Sequence, residues 1–465
     1  MDGLWTFVFH LREELLLFSG FWFVIGGLDD LIVDLIWMVR GGWRRLTRYM
    51  HIAPMRASQL PKPVNSGPLI IFVAAWQEAA VIGKMLQNCE NSWSDCGILY
   101  RIYVGCYPND PDGIRAVISA TRHSQHVKMV LCDRPGPTTK ADCLNRLWRA
   151  LTSDELAHGY KAKAVILHDA EDYVHPLELP VYDYLIERAA AVQLPVIPIA
   201  VPGSAMVSGH YCDEFAEAHG KSLIVREAIG AAVPLAGVGC AIERNRLGRI
   251  AIARHGEPFD ADSLTEDYEL GLGLGADGGK VIFARMLDDD GNLVGTRACF
   301  PASFEASTRQ KARWMTGIAL AGWDRLGWQG GFAETWMRLR DRKAVFAAIV
   351  LTTAYMCIAL SVLLIGVQRA GMYSVPRSSD TVQIFLLATL ALLCWRIVVR
   401  FVLVWRMHGG KQAFLSIPRM AVANIIGIFA ARRACWTYLR LIFGGTLSWD
   451  KTKHAHFPNE VPRHG

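Results

Sequence analysis

The sequence predicts an α/β domain with a mostly parallel sheet, set between apolar segments long enough to lie in a membrane. In the middle of the chain, short apolar runs alternate with amphipathic stretches, as strands alternate with helices in such domains. The last third contains long segments with few charges. Hydrophobic residues make up 52% of the 465 residues, charged residues make up 20%, and the mean hydropathy is +0.21. That composition is too apolar for an ordinary soluble enzyme.

Charge and cysteine content argue against other classes of protein. The formal net charge is +6, no Lys/Arg run has the length of a nucleic-acid-binding arm, and the aromatic residues gather in apolar segments. We therefore expect no nucleic-acid partner. The 11 cysteines are an odd number and no two have CxxC spacing, which disfavours zinc sites and disulfide frameworks. Free thiols in a reducing compartment are the expected state.

Residues 1–50 are predicted to form a membrane anchor helix followed by a basic juxtamembrane segment. Three aspartates interrupt an apolar run from Leu15 to Val39, so 4–28 is the predicted span. These aspartates are Asp29, Asp30 and Asp34. Four arginines follow the run, namely Arg40, Arg44, Arg45 and Arg48. Since positive charge marks the cytoplasmic side of a membrane, the domain that follows is expected to be cytoplasmic.

Residues 51–340 are predicted to form the globular domain, which begins with a turn-rich linker. Six apolar runs in it are predicted strands: 69–75, 100–106, 127–132, 164–167, 196–201 and 280–284. Residues 341–448 return to the membrane, with transmembrane helices at about 344–366 and 381–405 and an interfacial helix at about 414–443. Residues 449–465 are a polar tail, expected in the cytoplasm.

Two arginines interrupt the second of these spans. Arg396 and Arg400 are four residues apart, so they share one face of a helix. Two interpretations stay open at this point. Both side chains reach the lipid headgroups, or both face a protein interior and meet phosphate or a polar polymer.

An acid cluster follows the predicted strand at 164–167. The sequence there reads His168-Asp169-Ala170-Glu171-Asp172. Crowded carboxylates repel one another and lose solvation, and a hard divalent cation such as Mg²⁺ or Mn²⁺ is their natural counter-charge. The alternative is a plain solvated turn.

Three more polar segments lie beside predicted strands and helices. Trp76-Gln77-Glu78 follows the first strand, and Tyr107-Pro108-Asn109-Asp110 follows the second. Ligands of open α/β sheets bind at the carboxyl ends of strands, so these acids are expected along one edge. The segment 136–145 supplies small residues, hydroxyls and Lys140 ahead of a helix, which suits phosphate oxygens.

Two later motifs complete the set: Leu264-Thr265-Glu266-Asp267-Tyr268-Glu269-Leu270, and then Arg309-Gln310-Lys311-Ala312-Arg313-Trp314. With them the sequence resembles the family-2 inverting glycosyltransferases, the group containing cellulose and hyaluronan synthases. That family carries Asp-x-Asp, Thr-Glu-Asp and Gln-x-x-Arg-Trp motifs in this order ahead of membrane helices. The resemblance covers roughly 60–450 and implies a GT-A-like domain with a Rossmann-like mixed sheet.

Within the family, the chain looks most like the NfrB-like, phage-receptor-associated inner-membrane glycosyltransferases. This narrower resemblance rests on four elements: Tyr-Pro-Asn-Asp, Gly-Pro-Thr-Thr-Lys-Ala-Asp, His-Asp-Ala-Glu-Asp-x-x-His-Pro, and the tail from Trp449 to His454. Relatives of this kind often carry a cyclic-di-GMP-binding domain after the tail. Regulation by that nucleotide is expected to act through a domain outside this chain.

The resemblance also implies roles for individual residues. Asp267 would be the general base, with Glu266 beside it, and Asp169 and Glu171 would hold Mg²⁺ or Mn²⁺. Glu171 stands where the family pattern has its second Asp, and Asp172 is a rival for that role. Donor-binding residues would be Trp76, Glu78, Asp110, Lys140, Asp142 and Asp169. Residues at the acceptor and diphosphate would be Gln310, Arg313, Trp314, Gly237 and Gly239.

Two further patterns are given structural interpretations. Gly271-Leu272-Gly273-Leu274-Gly275 has the glycine spacing of a dinucleotide loop, but no strand precedes it. It is expected to be the glycine-rich end of a helix. His168 and His175 have a spacing that a metal site could use, and we expect them to be structural histidines.

The predicted function is that of a membrane-bound, inverting, metal-dependent glycosyltransferase of hexosyltransferase type. It would pass sugar from a UDP-sugar to a growing exopolysaccharide, processively, at a bacterial inner membrane. One alternative is transfer of a single sugar to a polyprenyl phosphate or other lipid acceptor. Another is a non-enzymatic envelope scaffold linked to phage adsorption, with an outer-membrane or periplasmic partner.

Overall fold

The computed structural model describes residues 2–65, 67–122, 124–445 and 456–458. The strands are β1 (Leu69–Ala74), β2 (Tyr100–Cys106), β3 (Val127–Leu131), β4 (Ala164–Asp169), β5 (Ala191–Gln193), β6 (Val196–Ile199), β7 (Cys240–Glu243), β8 (Val281–Phe283) and β9 (Thr296–Cys299). The helices are α1 (Asp2–Arg44), α2 (Ile82–Trp93), α3 (Pro111–Ala120), α4 (Lys140–His158), α5 (Glu178–Leu185), α6 (Gly209–Glu217), α7 (Leu223–Ala228), α8 (Arg244–Ala253), α9 (Glu266–Ala276), α10 (Phe304–Trp314), α11 (Gly322–Leu326), α12 (Phe332–Arg342), α13 (Ala344–Arg369) and α14 (Asp380–Ile442).

The main sheet has seven strands in the order β3-β2-β1-β4-β7-β5-β8. β1 to β4 run parallel, β7 is antiparallel to both of its neighbours, and β8 is parallel to β5. The prediction of an α/β fold with a Rossmann-like mixed sheet is therefore confirmed. Ala74 of β1 pairs in register with Gly105 of β2 and with Asp169 of β4. The loops after these three strands consequently leave the sheet side by side.

All six predicted apolar runs contain a strand, but the strands are not all in one sheet. The run at 196–201 forms β6, which pairs with β9 in a separate two-stranded sheet. β5, β7 and β9 are missing from the sequence prediction. They contain only three or four residues, which is too short for an alternating or apolar pattern to stand out.

Every residue of β1 is buried, because helices cover both faces of the sheet. Leu69, Ile71 and Val73 pack into the layer that contains α2. Ile70 and Phe72 pack into the opposite layer with α4. Alternate residues thus fill two cores, and the strand reads as an uninterrupted apolar run.

α1 does not end at its aspartates. It runs unbroken from Asp2 to Arg44, because protein donors meet the three carboxylates. Asp29 accepts from the indole of Trp336 at 2.7 Å and from Lys343 at 2.7 Å. Asp34 accepts from the ammonium of Lys221 at 2.5 Å. The lower part of α1 is thereby bound to the globular domain.

Three helices in the described part of the chain are long and apolar enough to cross a membrane: α1, α13 and α14. α14 is broken at Gly409, where φ is 80° and ψ is 173°. Two helical stretches, 380–408 and 410–442, therefore occupy the regions predicted as the second span and the interfacial helix. The tail from Trp449 to His454 lies outside the described residues.

The two arginines of the second span have different surroundings. Arg400 is buried and forms an ion pair with the carboxylate of Glu217, which lies at the end of α6. Arg396 is half-exposed and approaches Asp30 at 3.4 Å. Arg400 therefore faces a protein interior, as one of the two interpretations predicts. The partner of this arginine is a carboxylate of the protein.

A buried arginine joins α14 to the globular domain. Arg419 is fully buried beside Asp213 of α6, with 3.1 Å between guanidinium and carboxylate, and its Nε donates to the carbonyl of Ala205 at 2.7 Å. A Cβ on Gly209 would stand about 2.4 Å from this guanidinium. Glycine at position 209 therefore allows α6 to approach the arginine.

We expect Arg419→Met to destabilise the protein strongly, because it leaves the Asp213 carboxylate buried without its charge partner. Loss of one member of a buried pair typically costs about 3–5 kcal/mol. The unfolding temperature of the purified protein in detergent should fall by several degrees. Arg432→Met, at an exposed position of the same helix, is the matched control and should change it little. Equal unfolding temperatures for the two variants would contradict this account.

Candidate active site

Lys140 joins two of the sequence-predicted site segments. It is the first residue of α4, and Asp169 is the last residue of β4. The ammonium of Lys140 lies 2.5 Å from Oδ1 of Asp169 and donates to the carbonyl of Gly237 at 3.2 Å. One side chain thus connects the end of β4 to the small-residue segment before β7.

Asp267 approaches the same place from the opposite side. Gly237 has φ of +72°, and a Cβ there would stand 2.3 Å from Oδ2 of Asp267. The carboxylate therefore fills the space that a side chain at 237 would need. Asp169 and Asp267 consequently flank the contact between Lys140 and Gly237, in one cleft at the carboxyl ends of the strands.

The glycine run of α9 makes this approach possible. Asp267, Gly271 and Gly275 are spaced by four residues, so they lie on one face of the helix. A Cβ at Gly271 would stand 2.5 Å from the backbone nitrogen of Leu235, and one at Gly275 would stand 2.5 Å from Cβ of Ala232. The glycines let the segment 232–237 pack directly on α9. Their predicted place in a helix is confirmed.

The electrostatics of the cleft follow from crowding. Burial alone would lower the pKa of Lys140, but Asp169, Glu266 and Asp267 outweigh it and hold that pKa well above its usual value. Burial and the neighbouring Asp267 raise the pKa of Glu266 to about 7, against the opposite influence of Lys140 and Arg313. Burial also raises the pKa of Asp267. Three acids therefore crowd around the ammonium of Lys140, with Arg313 as a second cation near Glu266.

The oxygen donors at the end of β4 fit a divalent cation. Asp169 and Glu171 lie in the same turn after β4, and the side chain of Asp169 is 34% exposed. Within the described ranges, no group of three or more His, Cys, Asp or Glu side chains is arranged as a metal site. Two carboxylates therefore suit an ion whose remaining ligands come from water and a bound diphosphate, as Mg²⁺ commonly requires.

The rival ligand Asp172 faces the interior. Its side chain is fully buried, and Oδ2 accepts from the backbone N–H of Asp169 at 3.0 Å and lies 2.9 Å from Nδ1 of His168. Burial alone would lower the pKa of His168, but Asp172 and Glu178 outweigh it and raise that pKa to about 10. The His168 imidazole therefore lies between two buried acids, in a structural setting.

The donor-side residues line the loops after β1 and β2. Trp76 packs edge-on against Tyr107, with ring centroids 5.1 Å apart, and lies directly under Gly136. Glu78, two residues after Trp76, is buried. Asn109 donates to the carbonyl of Gly136 at 2.7 Å and accepts from its N–H at 2.8 Å. The segment 136–139 is thereby held over the indole.

Two donor-side acids have partners within the protein. Asp110 caps α3, accepting from the backbone N–H of Gly113 at 3.1 Å and from that of Gln77 at 2.7 Å. Asp142 accepts from Arg134 at 2.5 Å. Asp110 therefore fixes the turn at Gln77, and Asp142 is held by an exposed arginine.

The acceptor-side residues lie on α10. Trp314 joins an aromatic cluster, with its ring centroid 6.1 Å from Tyr211, 6.5 Å from Phe215 and 6.4 Å from Phe300. Gln310, four residues before Trp314, and Arg313, directly before it, are both half-buried. α10 continues into a π-helical segment, Met315–Ala321, in which a Cβ on Gly317 would stand 2.6 Å from the side chain of Thr265. The π-helical segment that continues the Gln-x-x-Arg-Trp helix therefore packs on Thr265, the first residue of the Thr-Glu-Asp motif.

Two positioning residues were missed by the sequence analysis. The amide of Gln193 donates to the carbonyls of Val238 at 2.9 Å and Gly239 at 3.2 Å, and its oxygen accepts from the N–H of Ala236 at 2.8 Å. Asn145 exchanges two hydrogen bonds with the backbone of residue 259. The signal in the sequence is slight: Gln193 stands between Val192 and Leu194, and Asn145 stands between Leu144 and Arg146.

Gly239 does not face the cleft. Its φ is +58°, and a Cβ there would stand 2.5 Å from the hydroxyl of Thr296. Gly239 packs against Thr296, whereas Gly237 faces Asp267. The two predicted acceptor-side glycines therefore have different surroundings.

Known proteins resemble this chain along most of its length. Bacteriophage adsorption protein B of Escherichia coli (strain K12) and bacteriophage N4 adsorption protein B of Escherichia coli O157:H7 are each 35% identical over 456 residues. Those alignments cover 94% of this chain and 61% of the relative, so the chain spans about three fifths of their length. These relatives belong with the narrower, phage-receptor-associated group that the sequence motifs predict.

A distant likeness to a solved structure is found as well. Mannosyltransferase PcManGT from Pyrobaculum calidifontis, in complex with GDP-Man and Mn²⁺, has a TM-score of 0.49 and 16% identity. It covers 82% of this chain and 99% of its own. The family described as "Glycosyltransferase like family 2" matches residues 67–317, more than half of the chain, including the turn after β4, Asp267 and the Gln-x-x-Arg-Trp helix. The chain therefore belongs to glycosyltransferase family 2, as predicted.

Proposed function

We propose that this protein is an inverting glycosyltransferase that transfers sugar from a UDP-sugar to a growing polysaccharide at the bacterial inner membrane. The observation that carries the proposal is the meeting of Asp169 and Asp267 across the Lys140–Gly237 contact. An acid that holds a donor diphosphate and an acid that activates an acceptor need this proximity. Membership of family 2 supports direct displacement with inversion.

Asp267 acts as the general base in this proposal. It takes the proton of the acceptor hydroxyl as the oxygen attacks the anomeric carbon, while the bond to the diphosphate oxygen breaks on the other face of the sugar. Lys140, with its three carboxylate neighbours, lies where the diphosphate would leave. Asp169 and Glu171 would hold a Mg²⁺ or Mn²⁺ ion, which neutralises the charge that develops on the leaving group.

The remaining site residues bind the two substrates. Trp76, Glu78 and Asp110 line the nucleoside side, with Lys140 and Asp142 nearer the phosphates. Gln310, Arg313 and Trp314 lie on the acceptor side, where the indole offers a flat face to a sugar ring. Gly237, between Lys140 and Asp267, lies where donor and acceptor meet.

Transfer to a polymer, rather than to a single lipid, is favoured by the Gln-x-x-Arg-Trp helix, which resembles that of processive members of the family. Three candidate spans support a multi-pass arrangement with the catalytic domain in the cytoplasm. A scaffold role in phage adsorption is the second candidate, favoured by the names of the relatives. An outer-membrane or periplasmic partner belongs to that second proposal.

We expect membranes that contain the protein to release UDP from one member of a UDP-sugar panel, only when Mg²⁺ or Mn²⁺ is present. Chelation with EDTA should abolish the release, and added metal should restore it, because Asp169, Glu171 and the diphosphate are all anionic and repel one another without a cation between them. UDP is measured by a coupled assay, and radiolabelled donor reports product length. A product with a single sugar on lipid would favour the lipid acceptor, and UDP release that persists in EDTA would refute the metal role.

A further inference from the structure

Three ionisable side chains lie fully buried behind the end of β4. His168, Asp172 and Glu178 are 1%, 0% and 0% exposed. Nδ1 of His168 is 2.9 Å from Asp172, and Nε2 is 3.3 Å from Glu178. Burying ionisable side chains costs free energy, and well-packed apolar residues often stabilise a core at least as well. The cluster therefore needs an explanation other than stability.

One end of the cluster fixes the turn that follows β4. Oδ2 of Asp172 accepts from the backbone N–H of Asp169 at 3.0 Å, while the N–H of Asp172 donates back to the carbonyl of Asp169 at 3.2 Å. The turn is therefore closed by both a side chain and the backbone. Glu171 lies inside it, so the orientation of both proposed metal ligands depends on where Asp172 is held.

The other end of the cluster reaches the segment that carries Gly237. Glu178 accepts from the N–H of His175 at 2.8 Å and from the hydroxyl of Thr296 at 3.2 Å. That hydroxyl lies against Gly239. A continuous set of contacts thus joins the turn after β4 to the segment facing Asp267.

We infer that His168, Asp172 and Glu178 form a positioning unit that orients the Asp169–Glu171 turn towards the divalent ion and the donor diphosphate. This inference rests on the metal role proposed above for Asp169 and Glu171. None of the three residues is proposed to touch the ion or the substrate. Their effect is exerted through the backbone of the turn, as hydrogen-bonding partners of metal ligands elsewhere orient those ligands.

The test is Mn²⁺ binding by the purified full chain in detergent with UDP present, followed through the EPR signal of free Mn²⁺. Asp172→Asn keeps the shape of the side chain, but its neutral amide oxygen is a weaker acceptor for the His168 ring and the Asp169 N–H than the carboxylate oxygen Oδ2, which contacts both. Changes to such orienting partners typically weaken metal affinity about 10–100-fold. We expect a loss of that size, with a rise in the donor KM that exceeds the fall in kcat.

Asp183→Asn is the matched control. Asp183 is also a buried acid, paired with Lys163 at 2.6 Å, but it lies on α5 away from the turn. It should lower the unfolding temperature and leave Mn²⁺ affinity unchanged. His168→Gln is the second variant, because it can still reach one acid while the link between the two is broken. It should weaken Mn²⁺ binding as Asp172→Asn does.

Different variants test the positioning role and the proposed metal site. If Asp172→Asn and His168→Gln fold and bind Mn²⁺ within twofold of the parent, the positioning role is overturned. If neither variant folds, the cluster is a stability element and the inference is likewise overturned. Asp169→Asn tests the metal site itself. Unchanged Mn²⁺ binding in that variant would overturn the metal role in the proposed function, whatever Asp172 does.

Discussion

Asp267→Asn is expected to lower kcat by about 10³-fold, within the range usual for loss of a general base. The amide has nearly the same shape, so it still fills the space beside Gly237. It cannot accept the proton of the acceptor hydroxyl. Donor binding involves the other side of the cleft, so the donor KM should change little. Initial rates of UDP release with the preferred donor give both constants.

Asp277→Asn is the control for this variant, because Asp277 lies exposed just beyond the end of the same helix. It should behave as the parent. If Asp267→Asn keeps its rate, Asp267 is not the base, and Glu266 becomes the acid to examine. A phage-adsorption phenotype that survives Asp267→Asn while UDP release is lost would assign that phenotype to a scaffold role.

Gly237→Ala is expected to lower kcat by about 100-fold, since displacement of a reacting group by an ångström can cost that much. Two effects combine here. The backbone at 237 has φ of +72°, which L side chains rarely adopt, and the added methyl would stand 2.3 Å from Oδ2 of Asp267. The carboxylate or the segment must move. The carbonyl of Gly237, which accepts from Lys140, would move with it.

Gly230→Ala separates these two effects. Gly230 has a similar φ of +78°, but nothing lies within 4 Å of the position a Cβ would take. It therefore carries the backbone strain alone, and should lower the unfolding temperature with kcat preserved. Comparable loss of kcat in the two variants would mean that strain in this part of the chain, not contact with Asp267, is responsible.

The parts of the fold that the sequence predicts are those with a strong local pattern. β1 is buried along its whole length and reads as one apolar run of six residues, while the apolar residues of β2 are interrupted only by Arg101 and those of β4 precede His168 and Asp169. β5 and β7 are as buried but have only three and four residues. Their pairing, and the antiparallel direction of β7, depend on contacts between distant segments that no local pattern records.

The sequence predicts which residue types form the site, but it does not predict which way each side chain points. Asp169 and Asp172 are both carboxylates at one strand end, and only the turn sends one to the cleft and the other to the core. Gly237 and Gly239 share one segment and face opposite ways. Resemblance to a family supplies the roles of such residues. Orientation comes from the backbone, which single-residue patterns do not describe.

The ion pairs of α1 have a practical consequence for anyone who wishes to isolate the catalytic part. Asp34 neutralises Lys221 inside the domain, and Asp29 and Asp30 meet Arg340 just ahead of α13. A shortened version that begins after α1 would leave Lys221 and Arg340 without their carboxylate partners and would expose the apolar surfaces beside them. Soluble production of the excised domain should therefore fail, whereas expression with both flanking regions retained should succeed.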